Sequence, residues 1–247
     1  MERRVGGWLR DRPDSRDYIA KLKRASGVDV SNIDLRKNGF LPNIYNQGKT
    51  QACTGCSISA ALEYGRRKEK LSDFAPSKLF IYYNERTYSN TVSSDDGAAI
   101  RDGMKSLQDF GAASEDIWPF LEDKVCEKPP EVVYTSAKPN IIKQYSRLLT
   151  SLKDVQAALS KELPIVFGLS CFENFDIPLT RETGAISMPQ GKHVGDHCML
   201  IVGLKKTTVI IRNSWGIDWG DDGYCYIPYD YIFNDAWSGD FWIIDVA

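Results

Sequence analysis

Residues 208–228 read "TVIIRNSWGIDWGDDGYCYIP". Two β-branched or aromatic runs, "TVII" and "YCYI", flank a stretch broken by Trp-Gly and Asp-Asp-Gly. That pattern predicts two short strands with turns between them. Upstream, "PIVFGLS" (164–170) and "HCMLIVGL" (197–204) have the same character. Four such runs with polar or glycine breaks predict an antiparallel sheet in the second half of the chain.

The first half has another period. "ACTGCSISAALEYGRRKE" from Ala52 is small and apolar, then basic. It predicts a helix with its first two turns buried and its end solvated. "SDFAPSKLFIYYNER" predicts a second helix with Pro76 near its first turn, and "IRDGMKSLQDFG" a third closed by Gly111. Ser151 caps "LKDVQAALSKE", which Pro164 ends. Helices first and strands second predict an α+β protein of two lobes, with a cleft between them as the place for a site.

Bulk composition excludes several classes. With 43% hydrophobic and 26% charged residues and a net charge of −2, nothing calls for nucleic acid or an anionic membrane as partner. No apolar run reaches the length of a membrane span. The opening "MERRVGGWLRDRPDSRDY" is basic but has no apolar core behind it, so no signal peptide is expected and the compartment is left open. Of the six cysteines, several stand in apolar strand-like runs, and reduced thiols are expected rather than a disulfide framework.

Cys53 and Cys56 lie in "NQGKTQACTGCSIS" (46–59). A redox Cys-x-x-Cys belongs after a strand in a βαβ unit, and here it follows a polar loop. Zinc would need two more ligands; "HVGDH" (193–197) lacks the Glu of a zinc-protease helix, so neither metal nor cofactor is expected. On the pair alone, two buried structural thiols are the simplest reading. A thiol nucleophile needs a base and a group that orients the base. His197 opens one strand and Asn213 ends the next, 16 residues on. A hairpin of that size can place the amide on one ring nitrogen and leave the other for the thiol. His193 has no matched partner in the sequence and is expected on a surface loop.

"NQG…C", "DHCMLIVG" and "NSWGIDWGDDGYCYI" together resemble the papain-like cysteine peptidases, from about Asp34 to Tyr226. The resemblance implies a papain-like two-lobe fold. It divides the chain into an arm (1–33) and a peptidase domain (34–247), with a helical lobe at about 45–140 and a β lobe at about 141–230. It implies a monomeric endopeptidase acting on peptides or proteins. Cys53 would attack the scissile carbonyl. His197 would protonate the leaving amine and then activate water. Gln47 and the Cys53 N–H would hold the oxyanion, Asn213 would orient His197, and Trp215 would shield their hydrogen bond.

The family's familiar pattern Cys-Gly-[Ser/Ala]-Cys, laid on "CTGCS", would select Cys56 instead. The family's glutamine stands six residues before its nucleophile, and Gln47 stands six before Cys53. Gly55 and Ser57 then match the family's small residue and Ser. Thr54, Gln51 and Thr50 depart from its usual Trp, small residue and Cys. By position, Gly97 and Ala98 would flank the substrate backbone. Ile100, Gly168, Gly195 and Cys198 would line a roomy apolar pocket for the side chain two before the cleaved bond. A transglutaminase-like acyl transferase or an inactive binding protein are the alternatives. The arm is too short and irregular for a helical prodomain. It is expected to cover part of the cleft or pack on the β lobe, with Trp8, Leu9 and Tyr18 as anchors, or else to be a stabilising tail.

Overall fold

Helix α1, Cys53–Lys68, is the centre of the molecule, for which a computed structural model describes residues 6–246. Its small residues let neighbours close in on all sides, and its first three turns are buried throughout. Arg66, Arg67 and Lys68 fill the last turn, where cations oppose the helix dipole. Helix α2, Lys78–Ser89, crosses α1 at Gly55. A Cβ there would lie 2.5 Å from the Lys78 carbonyl oxygen. Ser77 caps α2 by accepting the Phe80 N–H at 3.1 Å, so Pro76 stands just before the cap rather than inside the first turn. Helix α3, Ile100–Asp109, is followed by Gly111 at φ 79°. α4, Glu131–Ala137, completes the helical lobe.

The other side of α1 packs on a sheet. Its strands are β4 (Gln144–Arg147), β5 (Ile165–Phe172), β6 (His193–Leu204), β7 (Thr208–Arg212), β8 (Tyr224–Pro228) and β9 (Ser238–Asp245). Their order is β4-β9-β5-β6-β7-β8, and β2 (Ile33–Asp34) pairs with β6. All these pairings are antiparallel, as the strand spacing predicts. α5 (Leu152–Leu159), capped by Ser151, α6 (Pro178–Thr183) and α7 (Tyr229–Ile232) flank the sheet. The fold is therefore the two-lobe α+β arrangement expected.

Strand β9 lies past residue 230, where the β lobe was expected to end, yet it sits inside the sheet. Between the pairs Val166–Trp242 and Gly168–Gly239, β9 has one residue more than β5. That is a β-bulge, and Asp240 occupies it at φ 54°.

The arm lies across both lobes. β1 (Trp8–Leu9) pairs in parallel with β3 (Ala98–Ala99) of the helical lobe. Ile19 then bridges to Arg147 on β4, which covers the free edge of the sheet. Trp8 is buried, while Leu9 and Tyr18 are exposed and do not act as anchors.

Candidate active site

Cys53 is the first residue of α1, and its thiol is fully buried. The Cys198 N–H donates to its Sγ at 3.3 Å, and the thiol donates to the Gly6 carbonyl at 3.4 Å. Burial pushes the Cys53 pKa well above the usual thiol range, with Cys198 pulling weakly the other way. Cys56 lies one turn on and is also buried. Its electrostatic neighbours are Lys78, Glu115 and Arg212, and burial pushes its pKa up to about 12.

His197 projects from β6. Asn213, one residue past β7, accepts at Oδ1 from the ring Nε2–H at 2.8 Å. The same Oδ1 accepts the Ser214 N–H at 2.8 Å, which marks it as the oxygen. The neutral ring thus carries its proton on Nε2, leaving Nδ1 basic, and Nδ1 is buried without a hydrogen-bond partner. Trp215 stacks on the imidazole, with centroids 4.8 Å apart, and Trp219 meets Trp215 edge-on. Burial draws the His197 pKa down to about 4, against the pull of Asn213 and the Gly6 backbone. With the arm in place, burial favours the neutral thiol and the neutral imidazole.

Gln47 is held from both ends. Its Nε2–H donates to the Thr50 carbonyl at 2.9 Å, and Ser214 Oγ–H donates to its Oε1 at 2.6 Å. This links the loop before α1 to the segment after β7, so Cys53, His197, Asn213 and Gln47 share one connected neighbourhood. His193 does not join it. It is exposed at the start of β6, and its Nε2 meets Asp196 Oδ1 at 3.0 Å, a partner that the sequence did not suggest.

A family model described as papain family cysteine protease matches residues 30–234. The chain belongs to the papain family of cysteine proteases. An uncharacterized peptidase C1-like protein of Acanthamoeba polyphaga mimivirus is 34% identical, over 96% of this chain and 86% of its own. Cathepsin K of Gallus gallus is 26% identical over 87% of this chain. The match spans 63% of the cathepsin, less than two thirds of its length. The crystal structure of xylellain, a cysteine protease from Xylella fastidiosa, superposes with a TM-score of 0.87 at 31% identity, covering 100% of this chain and 99% of that one. As a papain-family cysteine peptidase the chain is a hydrolase of peptide or protein substrates. The relatives lend no support to an acyl transferase or a non-catalytic binder.

The peptidase's remaining candidate residues meet the arm or the sheet beneath it. A Cβ on Gly97 would lie 2.4 Å from the Gly7 carbonyl oxygen, and the Ala98 N–H donates to that oxygen at 2.8 Å. Gly168 faces Cys198 on one side of β5 and Gly239 on the other. The Trp8 indole lies on it, so a Cβ at 168 would fall 1.9 Å from Cε2 of the ring. Ile100 is buried at the start of α3, while Gly195 pairs with Cys171 further along β6. Sequence reasoning missed Asp240, whose Oδ2 accepts the Trp8 Nε1–H at 3.0 Å, and Asp11, whose N–H donates to the same oxygen at 2.7 Å. It also missed Glu85, a buried carboxyl bonded to Thr54 Oγ1 and pushed up to about 8 by burial. All six cysteines are free. Among the described residues, no group of three or more His, Cys, Asp or Glu could hold a metal ion, and no helix is long and apolar enough to cross a membrane.

Proposed function

We propose that Cys53 is the nucleophile of this peptidase, His197 its acid and base, Asn213 the orienting group and Gln47 the oxyanion donor. The observation that carries the reading is the Nε2–H to Asn213 bond, which leaves Nδ1 as the basic nitrogen within the buried neighbourhood of Cys53. Cys56 faces Lys78 and Arg212 and has no such base. Once the arm leaves and water enters, the burial that keeps both groups neutral is relieved. The start of α1 and the imidazolium then favour the thiolate. The thiolate attacks the scissile carbonyl carbon, and the new oxyanion takes hydrogen bonds from Gln47 Nε2 and the Cys53 N–H. His197 gives its proton to the leaving amine, then takes one from the water that cleaves the acyl-enzyme.

The arm has a role in this proposal. The carbonyl of Gly6 points its oxygen at the thiol, so its carbon is not presented to Sγ, and Trp8 fills the pocket over Gly168. The arm is a cleft cover that keeps the intact chain latent. The test is labelling with a thiol-directed epoxide. Slow labelling of the intact chain, faster labelling of Trp8→Ala, and modification mapped to Cys53 are expected. Modification at Cys56, or a Cys56→Ala variant that is folded yet inactive while Cys53→Ala works, would sink the assignment.

A further inference from the structure

The pocket under Trp8 has a feature that an apolar pocket lacks. At its end stands Asp240, 3% exposed. Asp240 is held in the bulge of β9 at φ 54°, a conformation that costs a residue with a side chain. A glycine would take that position without strain. The bulge re-aims the side chain, and the carboxylate meets the indole N–H at 3.0 Å. Its other oxygen, Oδ1, pairs with Arg147.

When the arm is out of the cleft, Oδ2 loses both of its donors, Trp8 Nε1–H and Asp11 N–H. That oxygen then takes its hydrogen bonds from water or from a donor on the incoming substrate. Charge decides which kind. Arg147 also pairs with Asp11 and Asp17, and Arg101 pairs with Asp17; both of those carboxylates leave with the arm. The emptied pocket end then holds one carboxylate that is already paired with the Arg147 guanidinium, which disfavours a cationic side chain. Size decides the shape. Gly168 leaves a flat floor on which the indole rests, and any side chain there would strike it.

We propose that this pocket reads tryptophan in the substrate, with Asp240 selecting the indole N–H, and that Trp8 occupies the place of that substrate side chain. The inference rests on the cleft being the peptide-binding site. The preferred substrates are peptides that place a tryptophan two residues before the cleaved bond.

Two measurements on the full-length chain test it. In the first, Trp8→Ala is titrated with two synthetic peptides of residues 6–18, one with tryptophan at position 8 and one with 1-methyltryptophan, which keeps the shape but lacks the N–H. Protection of Cys53 from alkylation is followed, so no turnover is needed. The tryptophan peptide is expected to protect at an at least about tenfold lower concentration, the size of a lost buried hydrogen bond. That advantage should vanish in Trp8→Ala/Asp240→Gly, where glycine suits the bulge and the backbone is kept. Equal protection by both peptides overturns the proposal. In the second, fluorogenic dipeptide amides carrying Trp, 1-methyltryptophan, Phe, Leu or Arg at the distal position are compared by kcat/KM. Tryptophan is expected to lead, and leadership by Arg or equal rates for Trp and Phe overturns the proposal. Absence of all turnover while Cys53 is still alkylated strikes instead at the catalytic roles given to His197, Asn213 and Gln47, and the protection assay then still decides what the pocket reads.

Discussion

In the proposed mechanism, Gln47 is the residue whose orientation matters most. Ser214 Oγ–H bonds its amide oxygen, and its Nε2–H bonds the Thr50 carbonyl, so the amide cannot flip without losing both. One N–H of the amide remains for an oxyanion. Gln47→Ala should lower kcat by on the order of 10²–10³, the usual cost of an oxyanion donor. Ser214→Ala removes only the bond that fixes the amide and should cost about five- to tenfold, as one neutral hydrogen bond does. Both are measured as turnover of a fluorogenic peptide in the Trp8→Ala background, with circular dichroism to check the fold. Unchanged turnover in Gln47→Ala would remove the oxyanion role, and with it the six-residue spacing that favours Cys53. An equal and large loss in both variants would mean that Ser214 does more than hold the amide.

At the scale of elements, the contact between α1 and α2 holds the start of α1 in place. Gly55 has no Cβ because the Lys78 carbonyl oxygen and the Tyr82 Cβ stand 2.5 and 2.9 Å from where it would be. The first of these is backbone and cannot turn aside. Gly55→Ala must therefore push the helices apart and should destabilise by roughly 1–3 kcal/mol, the range for overpacking. The expected readout is a lower Tm together with reduced turnover, since Cys53 is two residues away on the same turn. A Tm within experimental error of the parent would show that α2 yields easily and that the close crossing is not a constraint. The caps work at this scale too. Ser77 and Ser151 each satisfy an N–H that helix geometry leaves free; α5 begins where the sequence suggested, whereas α2 begins only after Pro76.

For the whole molecule, the arm carries a buried carboxyl, Asp11, into contact with both lobes. Asp11 faces Asp240 from β9, Arg147 from β4, Arg101 from α3 and, through both arginines, Asp17 of the arm itself; Trp242 Nε1–H bonds it at 2.9 Å. Burial first, and the Asp240 charge second, push its pKa up to about 7. In a released arm the carboxyl returns to about 3.9. The docked arm therefore binds the additional proton. Its stabilisation is full below about pH 4 and is lost as pH rises through about 7. Docking should tighten between pH 8 and pH 6. Hydrogen–deuterium exchange of residues 6–12, corrected for intrinsic rates, should show greater protection at pH 6, and Asp11→Asn should flatten the difference. Greater protection at pH 8 in the parent chain would reverse the sign and exclude Asp11 as its source.

The fold class was legible in the chain alone, and so were the candidates proposed for the chemistry. Strand and helix periods, serine caps and the "NSWG" run are local patterns, set by side-chain spacing along a single element. His197 and Asn213 could be paired because one hairpin separates them, and Gln47 could be set against Cys53 because the resemblance to the papain family implies a glutamine six residues before the nucleophile. Where the arm lies and what covers Gly168 emerged only on folding. Trp8 meets Asp240 across 232 residues, and no spacing encodes such a contact. "SGDFWIID" carries no sign of the bulge that turns Asp240 inward, because that bulge exists only once β9 is inserted beside β5. Of the residues expected around the pocket, Gly168 is the one that meets the Trp8 indole. The buried carboxylate at its end is set by the packing of the two ends of the chain against each other.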